Sequence, residues 1–289
     1  MTFDTFIETA WNDHGDRPHD VADRLAASLH LVETPEHVPP FARLATHVFG
    51  EHLGEWQRGI DVLESLRGRP AFDGGAAVTG AVTRSIATLQ YASGDRSAWA
   101  ALTPEDRVFA SASAAAAFAG RSEFRPAIAA YSEALRLAST GLPSGSPALR
   151  ALAVGGNNLA AALEEKTDRD PSETQGMIGA AEGGLQYWKL AGTWLEEERA
   201  EYRLARCRLQ AGDSAAAIRS AKRCLQVCKD NNAPPFEEFF GYAVLAVAQR
   251  AAGDADGFAA ARDRALELVG QVGEGEKQWC ASDLAEIGG

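Results

Sequence analysis

"RLARCRLQAGDSAAAIRSAKRCL", residues 203–225, is two Ala-rich runs separated at Gly212-Asp213. Neither run alternates as a strand would, and both are filled with strong helix formers. Glycine adopts the left-handed backbone that closes one helix, and aspartate caps the next. The stretch therefore reads as helix, hinge, helix. Its first run also carries Arg203, Arg206 and Arg208, in a chain of net charge −12. Cations concentrated on one helix of an acidic protein call for an explanation.

The same plan recurs along the chain. "YASGDRSAWAAL" (91–102) and "RAAGDADGFAAA" (250–261) each end a helix in Gly-Asp and start another at once. Pairs of the Leu-Ala type precede the turns: Leu44-Ala45, Ile86-Ala87, Ala114-Ala115, Leu159-Ala160, Leu204-Ala205 and Leu245-Ala246. Their alanines are spaced by 42, 28, 45, 45 and 41 residues. Small residues let helices approach closely, and pairs that cannot bury an apolar face alone must stack on neighbours. The short spacing marks a truncated unit at 87–115, with only "RSAWAAL" as its second helix. Start signals agree: Thr103-Pro104 with Asp106, Asp170-Pro171 with Glu173, and Ser146-Pro147. Gly94, Gly120, Gly141, Gly212 and Gly253 read as stops. "GEKQWCASDLAEI" (275–287) reads as a terminal helix with Trp279 facing inward.

The bulk numbers set limits. With 46% hydrophobic and 24% charged residues, the 289-residue chain has a globular balance rather than a disordered one. The net charge of −12 repels a phosphate backbone, so nucleic acid is excluded as a general partner. No apolar run reaches the roughly 20 residues of a membrane helix. The acidic start, "MTFDTFIETAWNDHGD", lacks a signal-peptide pattern, which predicts a cytoplasmic location. Richness in Ala, Gly and Arg suggests a bacterial source. Cys207, Cys224, Cys228 and Cys280 read as free, buried thiols.

These residues resemble the tetratricopeptide repeat family. "FRPAIAAYSEALRLA" (124–138) matches its second helix, and Leu204, Ala205, Gly212, Ala217 and Ile218 match a whole repeat. Leu245, Ala246, Gly253, Ala265 and Leu266 match again, and "NNLA" at 157–160 is similar to the longer repeats of kinesin light chains. The resemblance implies an all-α, right-handed solenoid of stacked antiparallel helix pairs. Its parts would be an N-terminal helical cap (1–34), divergent pairs (35–102), repeats (103–271) and a C-terminal capping helix (272–289).

The resemblance further implies a non-enzymatic scaffold that binds a protein or peptide in a concave groove lined by first helices. With Ala205 and Ala160 as the packed small residues, Arg199, Tyr202, Arg203, Arg206 and Gln210 would face that groove, opposite Asn157 and Asn158. Arginines suit carboxylates on the ligand and asparagines its backbone. Only Glu196 is placed to neutralise the stripe locally. The chaperone-binding clamp of the family is incomplete, because "SASAAAAF" (111–118) supplies no Lys or Asn.

No cofactor or metal is expected. All six histidines lie at positions 14, 19, 30, 37, 47 and 52, none in an i,i+4 pair, and they read as surface or loop residues. Cys224 and Cys228 share a helix face that Cys207 could approach, but they occupy packed positions. No GxSxG, phosphate-loop or HExxH motif occurs, and Gly155-Gly156 reads as a close helix contact. Two other readings stay open: a peptide-responsive regulatory module without its own DNA-binding head, and an enzyme using the N-terminal histidines. Oligomeric state is not encoded in any of these features.

Overall fold

The Gly212-Asp213 hinge forms as its residue types dictate. Gly212 has φ +77°, a conformation that costs a residue with a Cβ about 1 kcal/mol or more. The Asp213 carboxylate then accepts from the Ala216 N–H at 2.9 Å, capping the next helix. Asp254 does the same for Gly257 after Gly253.

The computed structural model describes residues 1–288, which are helical with no strand among them. The α-helices are α1 (Phe3–Asp13), α2 (Pro18–Ala27), α3 (Val38–Thr46), α4 (Trp56–Ser65), α5 (Ala76–Ser93), α6 (Pro104–Gly120) and α7 (Phe124–Ala138). They continue with α8 (Pro147–Glu165), α9 (Pro171–Ala191), α10 (Trp194–Gln210), α11 (Ser214–Asp230), α12 (Pro235–Ala251), α13 (Ala255–Val269) and α14 (Glu274–Gly288). From α6 to α13 the helices follow one another as four helix–turn–helix units, and the fold is all-α and of the solenoid class. Thr103 and Asp170 cap α6 and α9 as their sequences require.

Two compact units divide within α8, between Gly155 and Gly156. The N-terminal unit is built on Phe6, Leu25, Phe41, Leu44, Phe49, Leu63 and Leu89, so α1 and α2 share one core with α3, α4 and α5. The C-terminal unit is built on Ala205, Ala221, Phe239, Val244, Ala246, Leu268 and Ile287. All six repeat alanines, at 45, 87, 115, 160, 205 and 246, are 3% exposed or less. Gly155 carries the same logic further: a Cβ there would lie 2.9 Å from the Ala112 carbonyl oxygen. Beside it the buried Tyr131 hydroxyl donates to the Leu152 carbonyl at 2.9 Å.

Three expectations are corrected. "RSAWAAL" contains only a 3-10 turn, Trp99–Ala101. Asp95 accepts from Ser97 N two residues on, in a local turn, and Thr103 opens α6 before a helix has length to form. Gly120 is the last residue of α6, and Ser122 (φ +59°) makes the left-handed stop instead. Trp279 is 68% exposed, whereas Cys280, Asp283 and Ile287 are the buried face of α14. A charged residue in that stripe hid it from the sequence.

Gly155→Ala is expected to lower stability by about 1–2 kcal/mol despite its gain in helix propensity, because the new methyl meets backbone. Gly179→Ala, in α9 with open space around it, is expected to raise stability by roughly 0.5–1 kcal/mol. Urea unfolding of the two variants checks the contrast.

Candidate functional site

The first helix of the opening stretch, α10, is where the sequence placed its cations. Thr193 and Glu196 form a reciprocal capping box at its start, so Glu196 is drawn back to the Thr193 N–H at 2.8 Å and away from the arginines. Glu197 lies 3.7 Å from both Lys189 and Arg223. Glu198 and Glu201 fall on the buried face. None of the four local glutamates pairs with the stripe.

The partners come from distant helices. Arg199 grips Glu237 of α12 with two nitrogens, Nε donating at 3.1 Å. Arg203 binds Glu164 of α8, and Arg206 Nε donates to the other Glu164 oxygen at 2.7 Å. Arg206 also bridges to Glu286 of α14 and lies 3.9 Å from Asp283. The Tyr202 hydroxyl donates to Asp283 at 2.7 Å, and burial raises the tyrosine well above its usual range. Gln210, exposed at the end of α10, accepts from Arg169 at 2.9 Å. Arg208 pairs with Glu182. The expectation of an unneutralised stripe is thus corrected: 39 to 80 residues separate Arg203 and Arg206 from their carboxylates, beyond the reach of local pattern.

What α10 does border is an open cavity of about 550 Å³, lined by Asn157, Glu198, Arg199, Tyr202, Arg203, Phe236, Glu237, Phe240, Glu276 and Trp279. Asn157, Arg199, Tyr202 and Arg203 of the sequence-derived set meet here. Asn158, Arg206 and Gln210 are not among the lining residues. The sequence missed the aromatic wall. Phe236 and Phe240 meet edge to face with centroids 5.1 Å apart, and Phe240 and Tyr202 do so at 5.7 Å. Phe236 and Phe240 stand i,i+4 at the start of α12, a signal that was available.

Behind the wall lies Glu198, 1% exposed. Burial raises its carboxyl to about 8, and nearby Glu237 adds to the rise. The Cys224 thiol donates to it at 3.0 Å, with Cys228 alongside. Cys207 is elsewhere, its thiol directed at the Ala160 carbonyl and pushed up to about 12 by burial. The expected approach of Cys207 to the other two does not occur.

In the N-terminal unit, one ring nitrogen from each of His14, His47 and His52 lies within 4.8 Å of the others. The spacing argument against such a group fails because α3 runs directly into a π-helical turn, His47–Leu53. There, i→i+5 geometry stacks residues five apart, and His47 and His52 meet Nε2 to Nε2 at 3.2 Å. Burial and the neighbouring rings lower the pKa of His52.

Two predictions follow from α10. Arg206→Ala is expected to cost about 2–3 kcal/mol, read from the urea midpoint, because two carboxylates lose their donor. For Glu198, the unfolded carboxyl titrates near 4.5 and the folded one near 8. Between those values the folded chain holds a proton that the unfolded chain releases, so stability falls as pH rises from 4.5 to 8. Glu198→Gln is expected to flatten that slope and to melt above the wild type at pH beyond 8. Melting curves across this range check it.

No family model matches the sequence, and no curated protein matches it. Solved structures do. The crystal structure of kinesin light chain nearly identical TPR-like repeats from Podosopora anserina matches with a TM-score of 0.50 at 14% identity, over 82% of this chain and 96% of that one. BtubC (BKLC) from P. vanneervenii matches with a TM-score of 0.47 at 18% identity, over 93% of this chain and 91% of that one. The first likeness shows the fold: this chain has the architecture of tetratricopeptide-like helical repeats.

Proposed function

We propose that the chain is a non-enzymatic protein-interaction scaffold that receives a peptide segment in the cavity beside α10, α12 and α14. The observation that carries this reading is Trp279. A large aromatic, 68% exposed, stands at the edge of a cavity that already holds Phe236, Phe240 and Tyr202. Exposed aromatics at concave sites favour binding, because they offer much apolar area with little conformational entropy to lose. A cavity of about 550 Å³ suits a short segment rather than a single atom group.

The chemistry of the segment follows from the lining. An apolar or aromatic anchor would pack between Trp279 and the phenylalanines. Asn157 offers an amide to its backbone. A ligand carboxylate, the partner group anticipated from the arginines, would have to replace Glu237 at Arg199, whose side chain is 56% exposed. Arg203 and Arg206 are committed to Glu164. The anchor therefore supplies affinity, and Arg199 tunes it. Four buried free thiols suit a reducing, cytoplasmic setting.

A displayed library of random linear peptides, selected against the full chain, tests this. Selected peptides are expected to share an apolar anchor. Trp279→Ala is expected to weaken their binding by about 2 kcal/mol, roughly 30-fold, with little change in melting temperature. Saturable binders that ignore Trp279→Ala and Phe240→Ala would place the interaction surface elsewhere.

A further inference from the structure

We propose that His14, His47 and His52 form a three-imidazole site for a divalent transition-metal cation, with Zn2+ the best-suited ion. The site lies wholly in the N-terminal unit, apart from the peptide cavity, and does not depend on the reading of that cavity.

The argument begins with how each ring is held. His14 follows the last residue of α1, and its Nδ1 faces the Trp11 carbonyl oxygen. A carbonyl only accepts, so Nδ1 carries the proton and Nε2 presents a lone pair. His47 opens the π-helical turn, and its Nδ1 lies 3.0 Å from Glu51 Oε1. A carboxylate there likewise keeps the proton on Nδ1 and frees Nε2. Two Nε2 lone pairs thus converge with His52, whose own Nε2 is 3.2 Å from that of His47. Two lone pairs in contact repel, so the cluster needs a shared proton or a cation between the rings. Without metal, His52 donates Nε2–H to His47. With metal, the His52 proton resides on Nδ1 and all three Nε2 atoms become donors of electron pairs.

The outer contacts are those that metal-binding imidazoles characteristically have. A carboxylate or backbone carbonyl on the far nitrogen fixes tautomer and ring orientation and raises ligand basicity. His47 has the carboxylate and His14 has the carbonyl. Trp11 packs against both, with centroids 5.1 Å from each ring.

Metal distances fit. Tetrahedral Zn–N bonds of about 2.0–2.1 Å place nitrogens about 3.3 Å apart. The His47–His52 pair is already at 3.2 Å. All three nitrogens lie within 4.8 Å, which leaves a closure of at most about 1.5 Å to the spacing zinc requires. His52 is partly exposed, giving the ion an entry path and leaving its fourth position to water or an added ligand. Three neutral imidazoles select zinc and its neighbours rather than Mg2+ or Ca2+, which require oxygen.

The other candidate cluster, Glu198 with Cys224 and Cys228, is fully buried, and its thiols would have to ionise there. It serves as the control. Full-length protein, stripped with chelator, is titrated with ZnCl2 by calorimetry, and bound metal is counted after dialysis. One Zn2+ per chain is expected. His52→Ala is expected to weaken it at least about 100-fold, and Glu51→Gln by about 10-fold. His30→Ala and Cys224→Ser are expected to leave it unchanged. Co2+ bound to the wild type should give the visible spectrum of a nitrogen-coordinated tetrahedral ion without thiolate charge-transfer bands, a readout that stands even if a variant fails to fold. Absence of stoichiometric Zn2+, its retention in His52→Ala, its loss in Cys224→Ser, or a thiolate-type Co2+ spectrum would overturn the proposal.

Discussion

Close approach of helix backbones is the constraint on which this chain is built. At Ala205, Ala160 and Ala246 a neighbouring helix leaves room for one methyl, and at Gly155 not even for that. Interiors are close-packed, so an extra methylene at such a point must displace backbone or force strained rotamers. The positions recur once per helical unit, and each unit's apolar face is covered by its neighbours. Turns of the Gly-Asp type then set where one helix stops and the next begins, without consuming residues in loops.

The second organising element is electrostatic and centres on α10. Its arginines and tyrosine draw Glu164, Glu237, Asp283 and Glu286 from α8, α12 and α14. Ion pairs removed from water gain little net stability, since desolvation offsets their attraction, but they discriminate strongly among orientations. Tyr202–Asp283 and Arg206–Glu286 fix how α14 is rotated about its axis. That rotation buries Cys280 and Ile287 and turns Trp279 outward to the cavity. Charges expected to contact a ligand directly instead orient the helix that carries the exposed aromatic.

The fold was legible in the sequence because its signals are local. Gly212-Asp213, Asp170-Pro171-Ser172-Glu173 and the Leu-Ala pairs each state a structure within a few residues. The site was only partly legible because its geometry is set by distant partners. No pattern within α10 reveals Glu164 or Glu286, and Glu196, the nearest carboxylate by spacing, is taken by the capping box. Trp279 was misplaced because size suggested burial, while the true buried stripe contains Asp283. The histidines were read as dispersed because helix periodicity was assumed to be α throughout. His47 and His52 align only where the backbone widens, and His14 arrives from 33 residues away.

That widening has a consequence for which changes in chain length the protein tolerates. A π-helical turn is an α-helix that has accommodated one additional residue. Deleting a residue between His47 and Leu53 would let the segment relax to a regular α-helix, but everything after it would rotate by about 100°. Gly54 then could not lie against the Arg121 guanidinium, where it has no room for a side chain, and Trp56 would lose its edge-to-face contact with Phe118. The loops at 139–146 and 166–170 can gain or lose residues at low cost. The segment from His47 to Leu53 must instead be inherited at fixed length, even where its individual side chains vary.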